Sequence, residues 1–225
     1  MKELKFYFDF VSNNAYLAWT QLPPLCSKHN LTIRPVPVLF TGLLNSHSNV
    51  GPAEIPAKRA WMTKNILRKA ALVGVPMSPP IHHPFNPLLA LRACTAPISD
   101  VERTRLIGAL FEAVWVDRRH VSDLDEMRDV IERAGLDSHV ILDYALSKEA
   151  KDRLREDTES SVAKGVFGIP SMRVEGELFF GYDDFPFIEG FLQGRDPIEA
   201  SEFERWQQTS VTPSSERGTF KAKSK

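Results

Sequence analysis

Proline at position 170, directly before a short apolar–polar alternation, narrows what this chain can fold into more than any other residue. The segment reads Gly165-Val166-Phe167-Gly168-Ile169-Pro170-Ser171-Met172-Arg173-Val174 and runs into Glu175-Gly176-Glu177-Leu178-Phe179-Phe180-Gly181. Proline offers no N–H to a sheet, so Pro170 must stand at the start or the edge of a strand. X-Pro is also the one peptide bond whose cis form lies only about 0.5–1 kcal/mol above trans. Two readings follow. A trans Pro170 would simply open an edge strand. A cis Ile169–Pro170 would leave the Ile169 N–H and C=O unpaired and facing outward, a ready site for an extended, peptide-like ligand.

The rest of the chain supplies a frame for that strand. Leu4, Phe6, Phe8 and Phe10 alternate with Lys5, Tyr7 and Asp9, the period of a strand with one strongly apolar face. Ser12-Asn13-Asn14 follows, and Ala15, Leu17, Ala18, Trp19, Leu22 and Leu25 then recur at helical spacing. Ser12 therefore marks a strand-to-helix junction near the helix N-terminus. Pro23-Pro24 should bend or break that helix before it ends near His29-Asn30. Leu31 to Val38 reads as a second strand, and strand–helix–strand implies a parallel pair. Phe40 to Pro56 is rich in Gly, Asn, Ser and Pro and reads as a loop.

From Ala57 the pattern turns helical for about a hundred residues. Helices are expected around Trp61–Leu72, over Pro87–Ala96 and Val101–Val116, from Ser122-Asp123 to Ala134, and over Asp137–Leu146 and Lys148–Ala163. Glu175-Gly176 is a hairpin turn between two short strands. Phe185–Leu192 is a last helix, stopped by Gly194. The order is β-α-β, a helical insert, then β-β-α. This is an α/β, thioredoxin-like arrangement: a first half over 1–56, an inserted all-helical domain over 57–160 and a second half over 161–203. The polar stretch 204–225 is expected to be disordered.

Composition excludes several functions. The formal net charge is −1, with 28 basic residues scattered along 225, so no nucleic-acid-binding surface is expected. No apolar run is long enough to cross a bilayer, and the N-terminus lacks the apolar core of a secretory signal; the expected location is the cytoplasm. Cys26 and Cys94 are far apart in apolar helical patterns and read as buried free thiols. His82-His83 sits between prolines with no Cys or carboxylate at ligand spacing, so no metal site is expected.

Four short motifs in order carry a resemblance: Phe8-Asp9-Phe10-Val11-Ser12; Ser48-Asn49 with Ile55-Pro56-Ala57-Lys58; Gly165 to Pro170; and Gly181-Tyr182-Asp183. With them the chain, from about Lys5 to Leu192, resembles the DsbA-like branch of the thioredoxin superfamily. Within that branch it is most similar to 2-hydroxychromene-2-carboxylate isomerases and the related kappa-class glutathione transferases. A thiol oxidoreductase of this branch needs Cys-x-x-Cys after the first strand. Ser12-Asn13-Asn14-Ala15 stands there instead, which rules out disulfide exchange.

The resemblance implies glutathione as cofactor and a small aromatic substrate, such as 2-hydroxychromene-2-carboxylate, isomerised by a homodimer. It makes Ser12 the catalytic residue, its hydroxyl bonded to the glutathione thiolate; standing alone, Ser12 reads first as a helix cap. Ile169 and Pro170 would hold the cysteinyl backbone by strand addition. Lys58 matches a basic position that meets a glutathione carboxylate, Asn49 a polar position at the rim, and Tyr182 and Asp183 the pair that holds the γ-glutamyl end. Read alone, Lys58 is a solvated lysine, Asn49 a turn residue and Asp183 a helix cap. Trp61 and Trp115 are candidate pocket liners, with core packing the favoured role for both. Three residues depart from the family pattern: Asn13 in place of Pro, Asn14 in place of an aromatic, and Asp184 in place of Arg. The first two make the mouth of the site more polar, and the third bears on glutathione binding or the dimer contact. The alternatives are a kappa-like transferase that leaves glutathione on an electrophile, and a glutathione-binding protein without turnover.

Overall fold

The structure, a computed structural model, describes residues 2–209. Its sheet has four strands in the order β2-β1-β3-β4. Strand β1 (Lys2–Phe8) runs parallel to β2 (Leu31–Pro37) and antiparallel to β3 (Ser171–Val174), which pairs antiparallel with β4 (Glu177–Phe180). Between β1 and β2 lies helix α1 (Asn13–Lys28). The thioredoxin-like order expected from periodicity is therefore the order of the fold.

The alternation in β1 divides the packing. Leu4, Phe6 and Phe8, with Phe10 beyond the strand end, are fully buried on one face. There they meet Trp19 of α1 and Phe111 of α5 (Asp100–Trp115), with ring centroids 4.8–5.7 Å apart. Each such side chain removed from water contributes roughly 1.5–3 kcal/mol, so this aromatic stack fixes α1 and α5 on one side. On the opposite face Tyr7 packs with Val38, Leu43, Val166 and Ile169. Strand β2 is an edge, which explains its prolines. The Val38 N–H donates to the Phe8 carbonyl at 2.9 Å, so alternation turns positions 35 and 37 to the open side. Pro35 and Pro37 thus leave no N–H donor there for another chain to pair with.

Two expectations are corrected. Helix α1 is not broken at Pro23-Pro24; it continues to Lys28 with both prolines inside. Leu22 and Cys26, both buried, anchor the helix on either side of them. The span Phe40 to Pro56 is not all loop, because Phe40–Ser46 forms α2 and Pro52–Glu54 a 3-10 turn. Helix α2 is fixed from a distance. It docks on α8 (Lys148–Ala163), where the Thr158 hydroxyl accepts the Leu39 N–H at 3.0 Å. A Cβ on Gly42 would lie 3.0 Å from the Thr158 methyl, so the approach favours glycine.

The insert comprises α3 (Pro56–Leu72), α4 (Leu88–Ala93), α5, α6 (Leu124–Arg133), α7 (Ser138–Leu146) and α8. Ser99, Asp123, Asp137 and Ser147 cap the last four through side-chain oxygens that accept N–H groups of the first turn. Residues up to Glu189 form one compact unit and a second begins at Gly190. Glu175 (φ 50°) and Gly176 (φ 93°) form the hairpin turn, both left-handed as a two-residue type I′ turn requires. Helix α9 covers Phe185–Leu192. The stretch from Glu204, expected to be disordered, starts inside a helix, α10 (Ala200–Gln207); residues 210–225 of that expectation lie outside the described residues. Cys26 and Cys94 are free and buried, as expected. Among the described residues no helix is long and apolar enough to cross a membrane.

Candidate functional site

Ser12 is the N-cap of α1. Its backbone is extended (φ −97°, ψ 113°), and its Oγ accepts the Ala15 N–H at 3.1 Å. A hydroxyl that accepts through one lone pair keeps its own proton to donate. The helix N-terminus adds the partial positive charge of its unpaired N–H groups. Ser12 can therefore act on an anion through both its O–H and its setting.

The turn that carries Ser12 is held from several sides. Asp9 is 1% exposed, and its carboxylate accepts the Val11 N–H at 3.1 Å and the Phe40 N–H at 3.0 Å, joining this turn to the start of α2. Burial pushes the Asp9 pKa up to about 7, against the pull of the Phe40, Val11 and Phe10 N–H groups. The two carbonyls before Ser12 are also taken: the Trp115 indole N–H donates to Phe10 at 3.0 Å, and His83 Nε2–H donates to Val11 at 2.8 Å. Trp115, 4% exposed, has the expected core role, whereas Trp61 is 59% exposed and is not in the core.

Ile169–Pro170 is cis. The register ends at Tyr7↔Ser171, so Pro170 directly precedes the last pair, at the same end of β1 as Ser12. The Ile169 side chain is buried against Tyr7 and Leu43. Among the described residues, neither its N–H nor its C=O has a hydrogen-bond partner. A Cβ on Gly168 would fall 2.7 Å from the Phe180 ring, which would have to shift to admit it.

The Gly181 N–H donates to the Pro170 carbonyl at 2.8 Å, which brings the third and fourth motifs together. Tyr182 and Asp183 follow in a 3-10 turn, Tyr182–Asp184. The Tyr182 ring lies 5.0 Å from that of Phe185, and burial together with the Asp183 carboxylate raises its phenol pKa. Asp183 pairs with Lys69 of α3 at 2.6 Å. Asp184, the departure from the family pattern, closes the turn by accepting the Phe180 N–H at 2.8 Å. Helix α1 packs on α3 and on this turn, so the elements that carry Ser12, Lys58 and Asp183 adjoin.

Asn49 and Lys58 are less tied. Asn49 is exposed, and its side-chain oxygen accepts the Val50 N–H at 2.9 Å, the bond of a turn residue. Lys58 stands exposed on the first turn of α3, and among the described residues no bond links it to the other six. A groove of about 600 Å³ beside β2, lined by Pro35, Tyr144, Glu149 and Asp157 among others, contains none of the site residues.

Sequence reasoning assigned no role to Asp9, His83 or Lys69. Asp9 lies inside the first of the four motifs and His83 in a Pro-flanked pair. The sequence signal for Lys69 is its spacing: it lies eleven residues after Lys58, on the same face of one helix.

Residues 3–193 match the DSBA-like thioredoxin domain. The chain is 27% identical over 193 residues to a 2-hydroxychromene-2-carboxylate isomerase of Sphingobium xenophagum, covering 85% of this chain and 98% of that one. It is 24% identical over 203 residues to glutathione S-transferase kappa 1 of Rattus norvegicus, covering 84% and 90%. A solved 2-hydroxychromene-2-carboxylate isomerase shares its fold with a TM-score of 0.78 at 24% identity, over 92% of this chain and 100% of that one. With a domain match across most of its length, this chain belongs to the family of DSBA-like thioredoxin domains.

Proposed function

We propose that this protein is a glutathione-dependent isomerase of an aromatic conjugated keto acid, with 2-hydroxychromene-2-carboxylate the first substrate to try. The observation that carries the reading is Ser12: a hydroxyl at a helix N-terminus that accepts the Ala15 N–H through one lone pair and has its proton left to give. The similarity to named isomerases and to kappa-class transferases supports the same class.

The residues fit glutathione. Ile169 offers one N–H and one C=O with no partner among the described residues, the pair that an extended peptide needs for strand addition. Ser12 would hold the sulfur, Asp183 and Tyr182 the γ-glutamyl end, and Lys58 a carboxylate. When bound, glutathione supplies a thiolate nucleophile that can add reversibly to a conjugated system. Ser12 favours that thiolate by donating its O–H, and the first turn of α1 favours it through its dipole. A free thiol titrates near 8.5, so a downward shift of one unit multiplies the thiolate fraction several-fold at neutral pH. The backbone around Ile169 fixes the direction of the peptide. The bonds to the Phe10 and Val11 carbonyls keep Ser12 in place while the thiolate acts.

The test is conversion of 2-hydroxychromene-2-carboxylate with and without glutathione. The reading requires saturable dependence on glutathione, its recovery unchanged, and loss of turnover in Ser12→Ala. Turnover that ignores glutathione would sink it. The similarity to kappa-class transferases favours a second reading, transfer of glutathione to an electrophile; a stable adduct in the mass spectrum of the products would establish it. Tight glutathione binding with no turnover on either kind of substrate would leave a binding protein.

A further inference from the structure

We propose that Lys69 and Asp183 together form a two-charge cradle for an α-amino acid end: Asp183 takes the ammonium group and Lys69 the neighbouring carboxylate. The inference rests on the glutathione reading above, since the γ-glutamyl end of glutathione is such a zwitterion.

Lys69 Nζ donates to Asp183 Oδ2 at 2.6 Å, joining α3 to the 3-10 turn after β4 across 114 positions of sequence. The partners are unequally covered: the Lys69 side chain is 15% exposed and that of Asp183 71%. An ion pair with one partner open to water adds little to stability, so holding the fold is a weak reason for this pair. Its remaining valences are more telling. An ammonium group has three donors and a carboxylate two acceptor oxygens. Among the described residues one Lys69 donor is used, and one Asp183 oxygen takes it. A zwitterion laid head-to-tail against the pair meets an opposite charge at each end, and charge-assisted bonds of this kind are the strong ones.

The rest of α3 fits the same use. Lys58, Met62, Asn65 and Lys69 fall at i, i+4, i+7 and i+11, one face of the helix. Met62, Asn65 and Lys69 are half-buried on that face, and Lys58 is exposed at its start. At 1.5 Å per residue the two lysines stand about 16 Å apart along the axis. An extended tripeptide spans about 10 Å, and the reach of two lysine side chains covers the remainder. The helix would thus hold a cation near each end of the peptide, one for each carboxylate.

The rival physical account is that Lys69 plugs Asp183 and must be displaced by the ligand's ammonium group. Titration calorimetry of the full chain separates the two, with three thiol peptides: glutathione, 4-aminobutyryl-Cys-Gly (no α-carboxylate) and glutaryl-Cys-Gly (no α-ammonium). The cradle predicts that Lys69→Met weakens glutathione binding about tenfold or more. The same variant should bind the carboxylate-free peptide within about twofold of the wild type, and Lys69→Arg should recover much of the loss on glutathione. Asp183→Asn should weaken glutathione while leaving glutaryl-Cys-Gly nearly unchanged. Equal or tighter glutathione binding by Lys69→Met overturns the cradle in favour of the plug. An equal loss on all three peptides overturns it in favour of a purely structural lysine. A wild type that binds none of the three removes the glutathione reading itself, and the cradle with it; that outcome is distinct from a wild type that binds while Lys69→Met is unaffected.

Discussion

The two ends of the candidate site are built differently. At the Ser12–Pro170 end the backbone groups around Ser12 are committed, and among the described residues the Ile169 N–H and C=O stand open beside them. Asp9 holds two N–H groups, Trp115 and His83 take two carbonyls, and Gly181 takes a third. At the Asn49–Lys58 end the side chains are exposed, and the bond that the Asn49 side chain accepts, from the Val50 N–H, is local. A group that stabilises developing charge must be held in place before the reaction, because reorganising it would forfeit the gain. A group that only attracts a flexible ligand terminus can stay solvated. The contrast therefore predicts that substitutions at the first end cost rate or stability and those at the second cost only affinity.

The largest effect is expected at Ser12. Ser12→Ala removes the O–H and the helix cap together. Loss of a preorganised donor to an anion typically lowers turnover about 10²–10³-fold, while loss of the cap costs about 1 kcal/mol of stability. Steady-state rates at saturating glutathione, set beside a thermal melt, separate the two. A drop in melting temperature with full turnover would show that Ser12 is only a cap.

Asp9 gives the next effect, and it is one of pH. Its carboxyl titrates near 7 in the fold and near 3.9 in an unfolded chain. The native state therefore holds a proton that the unfolded state has already lost between these values. Stability from this group is full below about pH 4 and is lost as pH rises through about 7, at about 1.4 kcal/mol per unit. Asp9→Asn places an amide hydrogen against one of the backbone donors and lowers stability at every pH, but it carries no proton to release. The measurement is the difference in unfolding free energy between wild type and variant, which should shrink by about 2 kcal/mol from pH 5 to pH 7. A constant difference would mean that the Asp9 carboxyl is ionised throughout.

These two residues also show how much of the molecule can be read from its sequence. Leu4, Phe6, Phe8 and Phe10 announce β1 by alternation, and Ser12 and Pro170 announce the ends of elements by chemistry that is local. The order of strands and helices follows from such signals, whereas Ser12 and Pro170 become candidate site residues only through the resemblance, since each alone reads as the end of an element. Helix α2 does not follow from local signals, because what holds it is Thr158, more than a hundred residues away. Pro23-Pro24 misleads for a related reason: burial of Leu22 and Cys26 outweighs a local preference to stop. The fastenings of the site are of this second kind, since His83 reaches Val11 across 72 positions, Trp115 reaches Phe10 across 105 and Lys69 reaches Asp183 across 114.

Trp115 tests one of those long fastenings directly. Trp115→Phe keeps an aromatic ring in the core but deletes the indole N–H, leaving the Phe10 carbonyl without that donor. An unmatched buried acceptor costs about 1–3 kcal/mol, and the loss falls two residues before Ser12. Denaturant unfolding should show about 2 kcal/mol less stability, with turnover reduced more than glutathione affinity. An equal fall in both would indicate general loosening and not displacement of Ser12.

Lys58 is expected to matter least, and it is the sharpest check on the contrast because the prediction is an affinity change without a rate change. The side chain is exposed on the first turn of α3, with no ion pair among the described residues. Its attraction for a carboxylate is screened by solvent and counterions and is worth about 0.5 kcal/mol, or roughly twofold to threefold in binding. Lys58→Met should raise the KM for glutathione by that factor, leave kcat and the melting temperature unchanged, and lose its effect in about 0.5 M salt, where the Debye length falls to a few ångströms. A fall in kcat of tenfold or more would place Lys58 among the residues that act on the reacting thiolate. The division between a held end and a solvated end would then have to be drawn beyond α3, leaving Asn49 alone on the solvated side.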